Sequence, residues 1–231
     1  MYDQCQPLMK LVIIIITLIL VNYNVCGQKS LTNQEILRYW NASVNKTNEN
    51  SITIVNSSSA LNTYLKKLVD SLRSNKIDSV IILSTAYPGY INTSKCDTGM
   101  FPVTTFVIWN KNNLTKIRKI EGSCLFDVIK YPSLHLFEYY GNVKDKIKSE
   151  NFMPVIFSGQ INKDKTLSYS MSSIDHEPNN SFYYIVGSAS RSFQFCESYI
   201  TNNKSLFHYH NSNLTAFHWW QLVKNEIDKP D

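Results

Sequence analysis

The stretch "DSVIILST", residues 78–85, says more about the fold than any other part of this chain. Its aliphatic side chains follow one another without polar alternation, which is typical of a strand buried on both faces. We therefore predict a fully buried strand here. The neighbouring sequence is interpreted outward from it.

The sequence before this strand predicts a helix. Apolar side chains recur at helical spacing, Ser58 or Ser59 can supply the N-cap, and the pattern ends near Ser74–Asn75. The β-branched run Ser51–Val55 precedes the helix, so residues 51–85 are compatible with an N-terminal βαβ unit. The apolar positions of the helix are Leu61, Tyr64, Leu65, Leu68, Val69 and Leu72.

The sequence after "YPGY" (87–90) predicts antiparallel strands. Val103–Trp109 and Leu114–Glu121 are rich in strand-forming residues and are joined by "NKNN", which predicts a hairpin. A further strand is predicted at Met153–Gln160, and a strand pair with a Gly/Ser/Ala turn within 181–200.

Helices are predicted near both ends of the chain. Thr32 and Glu35 have the spacing of a capping box, which favours a helix over 33–40, and a closing helix is expected at Thr215–Asp228. The segment "LHLFEYY" (134–140) fits either a strand or the start of a helix. Together these elements predict an α+β fold, a single domain with a largely antiparallel sheet.

The segment "MKLVIIIITLILVNYNVCGQKS" (9–30) predicts export. Its apolar run Leu11–Val21 is preceded by Lys10 and is about half as long as a bilayer span requires. A basic residue, a short apolar core and small residues after it form the pattern of a secretory signal peptide. We predict a signal peptide at 1–27 and one globular domain at 28–231, secreted or periplasmic and without a membrane span after cleavage.

The cleavage site and the alternatives follow from the same segment. Val25 and Gly27 occupy the −3 and −1 positions of a cut before Gln28. The acidic Asp3 precedes the basic Lys10, which does not fit the positively charged start of a signal peptide. We therefore expect Met9 to be the true start. A lipoprotein anchored through Cys26 is the less favoured alternative, because the residues before this cysteine fit a lipid-attachment box poorly.

The charge of the chain is modest. The net charge is +5, and the lysines are scattered rather than gathered into a stripe that could follow phosphates. We therefore expect no nucleic-acid partner. A protein partner or an envelope or glycan component remains open.

Three cysteines remain after the predicted cleavage. In an oxidising compartment an odd number indicates one bridge and one free thiol, or no bridge. Cys96 and Cys124 flank the predicted hairpin and are the preferred disulfide, which leaves Cys196 unpaired.

Four histidines in the C-terminal part are the candidate metal ligands. In "FHYH" an extended backbone would place His208 and His210 on one face, and His218 or His176 could complete a zinc site. No nucleophile elbow, phosphate loop or paired cysteine motif accompanies them. The preferred expectation is therefore no cofactor, with zinc as the alternative.

Two functions are compatible with these observations. The preferred one is an exported binding or interaction domain, and the aromatic clusters "FEYY" and "FHWW" could line a binding cleft or belong to the core. The alternative is a small extracytoplasmic metal-assisted hydrolase that uses the histidine-rich C-terminal part.

Overall fold

A computed structural model describes most of the chain after residue 58. The described ranges are 59–90, 96, 101–112, 114–132, 135–161, 167–171 and 176–228, together with Gln34, Glu35 and Arg38. These three residues are helical and lie within the helix predicted over 33–40. The predicted signal peptide at 1–27 and the predicted strand Ser51–Val55 lie outside the described residues.

The chain divides into two compact units. The first contains Met1–Ser43 and Ser158–Ser170, and the second contains Val44–Phe157 and Met171–Asp231. The assignment of 28–231 to a single exported domain stays a prediction. All sites considered below lie in the second unit.

The described elements confirm the α+β class. The helices are α1 Ser59–Ser74, α2 Leu136–Ile147, α3 Ser198–Thr201, α4 His208–Ser212 and α5 Thr215–Ile227. The strands are β1 Ser79–Ala86, β2 Val103–Lys111, β3 Leu114–Glu121, β4 Cys124–Pro132, β5 Ile156–Ile161, β6 Leu167–Met171, β7 Asn179–Val186 and β8 Ala189–Cys196.

Six of these strands form one antiparallel sheet in the order β4-β3-β2-β1-β7-β8. β5 and β6 form a separate two-stranded sheet, most of which belongs to the first unit. The predicted β1 and the predicted hairpin of β2 and β3 are confirmed. Both neighbours of β1 pair with it antiparallel. In the described sheet, β1 therefore has no adjacent parallel strand of the kind that a βαβ unit would supply.

Helices cover the two faces of this sheet, which explains the continuous apolar sequence of β1. On one face, Leu65 and Val69 of α1 pack with Val80 and Ile82. On the other face, Ile81 packs with side chains of α2 and α5. Successive residues of a strand point to opposite faces, so the central positions Val80–Leu83, which alternate between the two covered faces, are all apolar.

The face under α2 and α5 contains most of the aromatic core. Trp219 is fully buried and its Nε1–H donates to the carbonyl of Leu136 at 2.8 Å. Its ring lies 5.0 Å from that of Phe182 and 5.2 Å from that of Tyr140. A buried indole that has both ring contacts and a hydrogen-bond acceptor stabilises the docking of α5 against α2 and the sheet.

The structure resolves one open choice, corrects one expectation and adds one strand that was not predicted. "LHLFEYY" leads into helix α2, which resolves the open choice in favour of the helix. The segment "FHYH" is not extended, since His208 and His210 lie in helix α4. Strand β4 was not predicted, although Gly122–Ser123 between two strand-forming runs is a two-residue hairpin signal.

No helix among the described residues is long and apolar enough to cross a bilayer.

Candidate functional site

The four candidate histidines occupy different environments. His208 and His210 are half-buried in α4, where residues two apart do not share a helix face. His210 Nε2 lies 3.1 Å from the carbonyl oxygen of Asn151, and His208 Nδ1 is buried with no hydrogen-bond partner among the described residues. His218 and His176 are exposed. Within the described ranges, no three His, Cys, Asp or Glu side chains are placed to hold one metal ion, so the zinc hypothesis gains no support there.

The aromatic clusters at "FEYY" and "FHWW" belong to the core. Tyr140 is 4% exposed, Trp219 0% and Trp220 9%. Their rings pack on Tyr184 and Phe195 of β7 and β8. The interpretation of these clusters as the lining of a binding cleft is therefore not supported by their burial.

Cys196 lies beside a small pocket at the end of β7 and β8. The pocket has a volume of about 210 Å³ and is lined by Asn179, Asn180, Ser181, Gln194, Phe195, Cys196 and Tyr199. The Cys196 Sγ donates to Asn179 Oδ1 at 2.7 Å. Burial, with a smaller contribution from Glu177, raises the pKa of this thiol to about 11. A thiol that stays protonated at neutral pH is a poor nucleophile, so this pocket does not define a catalytic cysteine.

The predicted disulfide is present. Cys96 and Cys124 are bonded, with their Cα atoms 5.0 Å apart, and Cys196 is free. The bridge ties the first residue of β4 to the connection between β1 and β2. Ser123 strengthens this attachment, because its backbone N–H and its Oγ both donate to the carbonyl of Cys96.

The exposed apolar side chains concentrate on the hairpin formed by β3 and β4. Among the described residues, four of the nine exposed large apolar side chains lie there. We call these four residues the hairpin patch. They are Leu114 (37% exposed), Leu125 (51%), Phe126 (41%) and Ile129 (45%).

Strand β4 is also an edge of the sheet. It pairs with β3 on one side and has no strand on its other side in the described sheet. The pairing with β3 shifts between Arg118 and Ile120, which marks a bulge in the first half of β4. An edge strand presents backbone N–H and C=O groups on which another strand can pair.

Basic side chains accompany the hairpin patch. Lys119 lies over the Phe126 ring at 5.3 Å and forms an ion pair with Glu121 at 2.5 Å. Lys116 lies directly opposite Lys130 in the register of β3 and β4. Neither of these two lysines forms an ion pair with a described residue.

No protein-family model, curated protein or solved structure matches this chain. The chemistry of the β3–β4 hairpin is therefore the basis for the proposed function. This surface is antiparallel, partly apolar, basic and fixed by a disulfide. Its described residues include no convergent acid, base and nucleophile groups.

Proposed function

We propose that this protein is an exported binding domain that engages a protein partner along β4. The observation that carries the proposal is that three of the four residues of the hairpin patch lie on β4, an edge strand of the described sheet. Exposed apolar groups gathered at one place are typical of interaction sites, whereas single exposed apolar residues are common everywhere.

The attachment of β4 supports this function. The Cys96–Cys124 bridge and the two hydrogen bonds of Ser123 restrain the start of the strand before any partner arrives. A binding edge that is already ordered loses less conformational entropy on association. The restraint therefore favours binding as well as stability.

Export is the second part of the proposal. The signal-like sequence at 1–27 directs the chain out of the cytoplasm, and disulfides persist in the oxidising compartments that it would then reach. Sequencing the N-terminus of the exported protein tests this part. We expect Gln28 as the first residue. A chain that retains Met9, or a lipid on Cys26, would contradict simple export.

Site-specific photocrosslinking in the producing cells tests the binding surface. A photoreactive phenylalanine analogue replaces Ile129 on β4, and in a control chain the same analogue replaces Tyr209, which is 79% exposed on α4. We expect a protein adduct of one discrete mass from position 129 and none from position 209. Equal adducts from both positions, no adduct, or an adduct with carbohydrate would refute a protein partner on β4.

A further inference from the structure

We propose that the partner contributes an extended acidic segment that adds to the sheet as a strand beside β4. The inference rests on the proposed function, because it specifies the chemistry of the partner at the same edge. Three features support it: the distribution of charge on the hairpin, the faces on which the side chains lie and the position of β4 at an edge of the described sheet.

The hairpin has an excess of positive charge. β3 and β4 contain four basic side chains and two acidic ones. One of the acids, Glu121, already pairs with Lys119. The surface therefore attracts an acidic segment and repels a basic one, which is the ordinary basis of electrostatic complementarity between partners.

The lysine pair provides the most specific argument. Lys116 and Lys130 face each other across the strands, and like charges in direct opposition destabilise a sheet. Lys130 is exposed and Lys116 is half-buried, so Lys130 remains open to a partner. A carboxylate placed beside Lys130 would form a favourable charge pair with it and so offset the repulsion between the two lysines.

The two faces of β4 differ in chemistry. Lys130 and Val128 point to the side of α1, because Val128 packs against the α1 cluster and side chains alternate along a strand. Ile129 pairs with Ile117 and therefore points to the side of α2 and α5. An added strand continues this alternation. Its acidic residues would lie next to Lys130, and its apolar residues next to Ile129.

The geometry of the edge limits where the strand adds. The bulge between Arg118 and Ile120 interrupts the ladder in the first half of β4. The residues from Val128 onward pair regularly with β3, and they include both Ile129 and Lys130. We therefore place the added strand beside the second half of β4.

Lysines and bulges also occur on edges that are protected from self-pairing. The two explanations predict different results. If Lys130 only prevents self-pairing, its replacement by the uncharged Val leads to association between copies of the protein without changing the binding of an acidic peptide. If Lys130 recognises a partner, its reversal to an acid weakens that binding.

A defined peptide tests the inference. The probe is a fluorescent peptide of alternating Val and Glu as long as β4, mixed with the full exported chain and followed by fluorescence anisotropy. The controls are a Val–Lys peptide and a Val–Glu peptide with a central proline, which removes a backbone donor and disfavours strand pairing. We expect saturable binding of the Val–Glu peptide alone. Equal binding of either control would overturn the acidic or the strand character.

Charge variants locate the site. We expect Lys116→Glu with Lys130→Glu to weaken binding of the Val–Glu peptide by about tenfold. The matched control, Lys144→Glu with Lys146→Glu on the exposed side of α2, changes the net charge equally and should leave the affinity unchanged. Equal weakening by both pairs would show a general charge effect and overturn the site. The milder Lys116→Gln with Lys130→Gln keeps the test valid if the reversal variant does not fold.

The outcomes separate this inference from the proposed function. A β4-specific protein adduct together with no peptide binding would overturn the acidic strand and leave the binding domain standing. No adduct and no peptide binding would overturn both. Dimers of a Lys130→Val variant in sedimentation, with unchanged peptide binding, would show that Lys130 protects the edge and would overturn its role in recognition.

Discussion

The two ends of the six-stranded sheet use similar side chains for different purposes. Under α2 and α5, Phe182 and Tyr184 of β7 are 0% and 1% exposed. At the opposite end, Phe126 and Ile129 of β4 are 41% and 45% exposed. Helices cover β7, which lies next to the edge strand β8, whereas the side chains of the opposite edge strand β4 remain exposed. Burial is therefore a property of what packs on a strand and cannot be read from the strand alone.

Hydrogen bonding at the covered end supports the same comparison. Glu150 accepts from the backbone N–H groups of Thr215 and Ala216, each at 2.8 Å, and so caps the start of α5. Arg191 donates to the carbonyls of Ile147 and Lys148 at the end of α2, as well as to that of Glu150. At this end, side chains on distant parts of the chain satisfy the ends of the helices. At the hairpin end, one disulfide and the two hydrogen bonds of Ser123 instead attach the start of β4 to the connection between β1 and β2.

The largest expected effect is at Trp219. We expect Trp219→Ala to lower the free energy of unfolding by about 4 kcal/mol, because it removes a fully buried ring and leaves the Leu136 carbonyl without its donor. Urea unfolding measures the change. The matched variant Ile129→Ser at the open end should change it by less than about 0.5 kcal/mol. Similar losses from the two variants would remove the distinction between the ends.

The disulfide is the next largest contribution. Cys96 and Cys124 are 28 residues apart. A disulfide that closes a loop of this size typically stabilises the folded state by about 3 kcal/mol, because it restricts the unfolded chain. We expect Cys96→Ser with Cys124→Ser to lose that amount in urea unfolding and to weaken binding at β4. The control Cys196→Ser should retain the bridge. A linked peptide that contains Cys196 in non-reducing mass spectrometry would disprove the pairing.

Asn211 provides a third test at the covered end. Its side chain is fully buried, accepts from the Met153 N–H at 2.8 Å and donates to the carbonyls of Met153 and Tyr199. We expect Asn211→Ala to cost about 2 kcal/mol, since three backbone groups lose their partner. The control is Asn213→Ala, because Asn213 is exposed and its side chain donates only to the Tyr209 carbonyl among the described contacts. Equal effects would argue against the buried network.

The smallest effect concerns the titration of Cys196. Its folded pKa is about 11 and its ordinary value is 9.0, so the unfolded chain loses this proton first. The contribution to stability is therefore constant below pH 9 and declines as the pH rises from 9 towards 11. Iodoacetamide alkylation of the folded protein should reach half its maximal rate near pH 11. Half-maximal alkylation near pH 9 would show that the thiol is not buried as described.

The sequence predicted those elements whose side chains carry a local pattern. Leu61, Leu65 and Val69 recur every four residues, which indicated helix α1. The apolar run around Ile82 indicated strand β1. Strand β4 was missed because its bulge breaks the alternation and its apolar residues face solvent. The helical state of His208 was missed as well, because "FHYH" has no pattern that separates a short helix from a strand.

The sequence by itself predicted the α+β class and favoured the pairing of Cys96 with Cys124, both of which the structure shows, and it predicts an export signal in residues that the structure does not describe. These follow from local periodicity, cysteine spacing and segment length, which act over short distances along the chain. Only the tertiary structure decided that Trp219 is core while Phe126 is exposed, and that Lys116 meets Lys130. The physical reason is that burial and charge pairing depend on which distant elements pack together, and a strand edge exists only once the order of the strands is fixed.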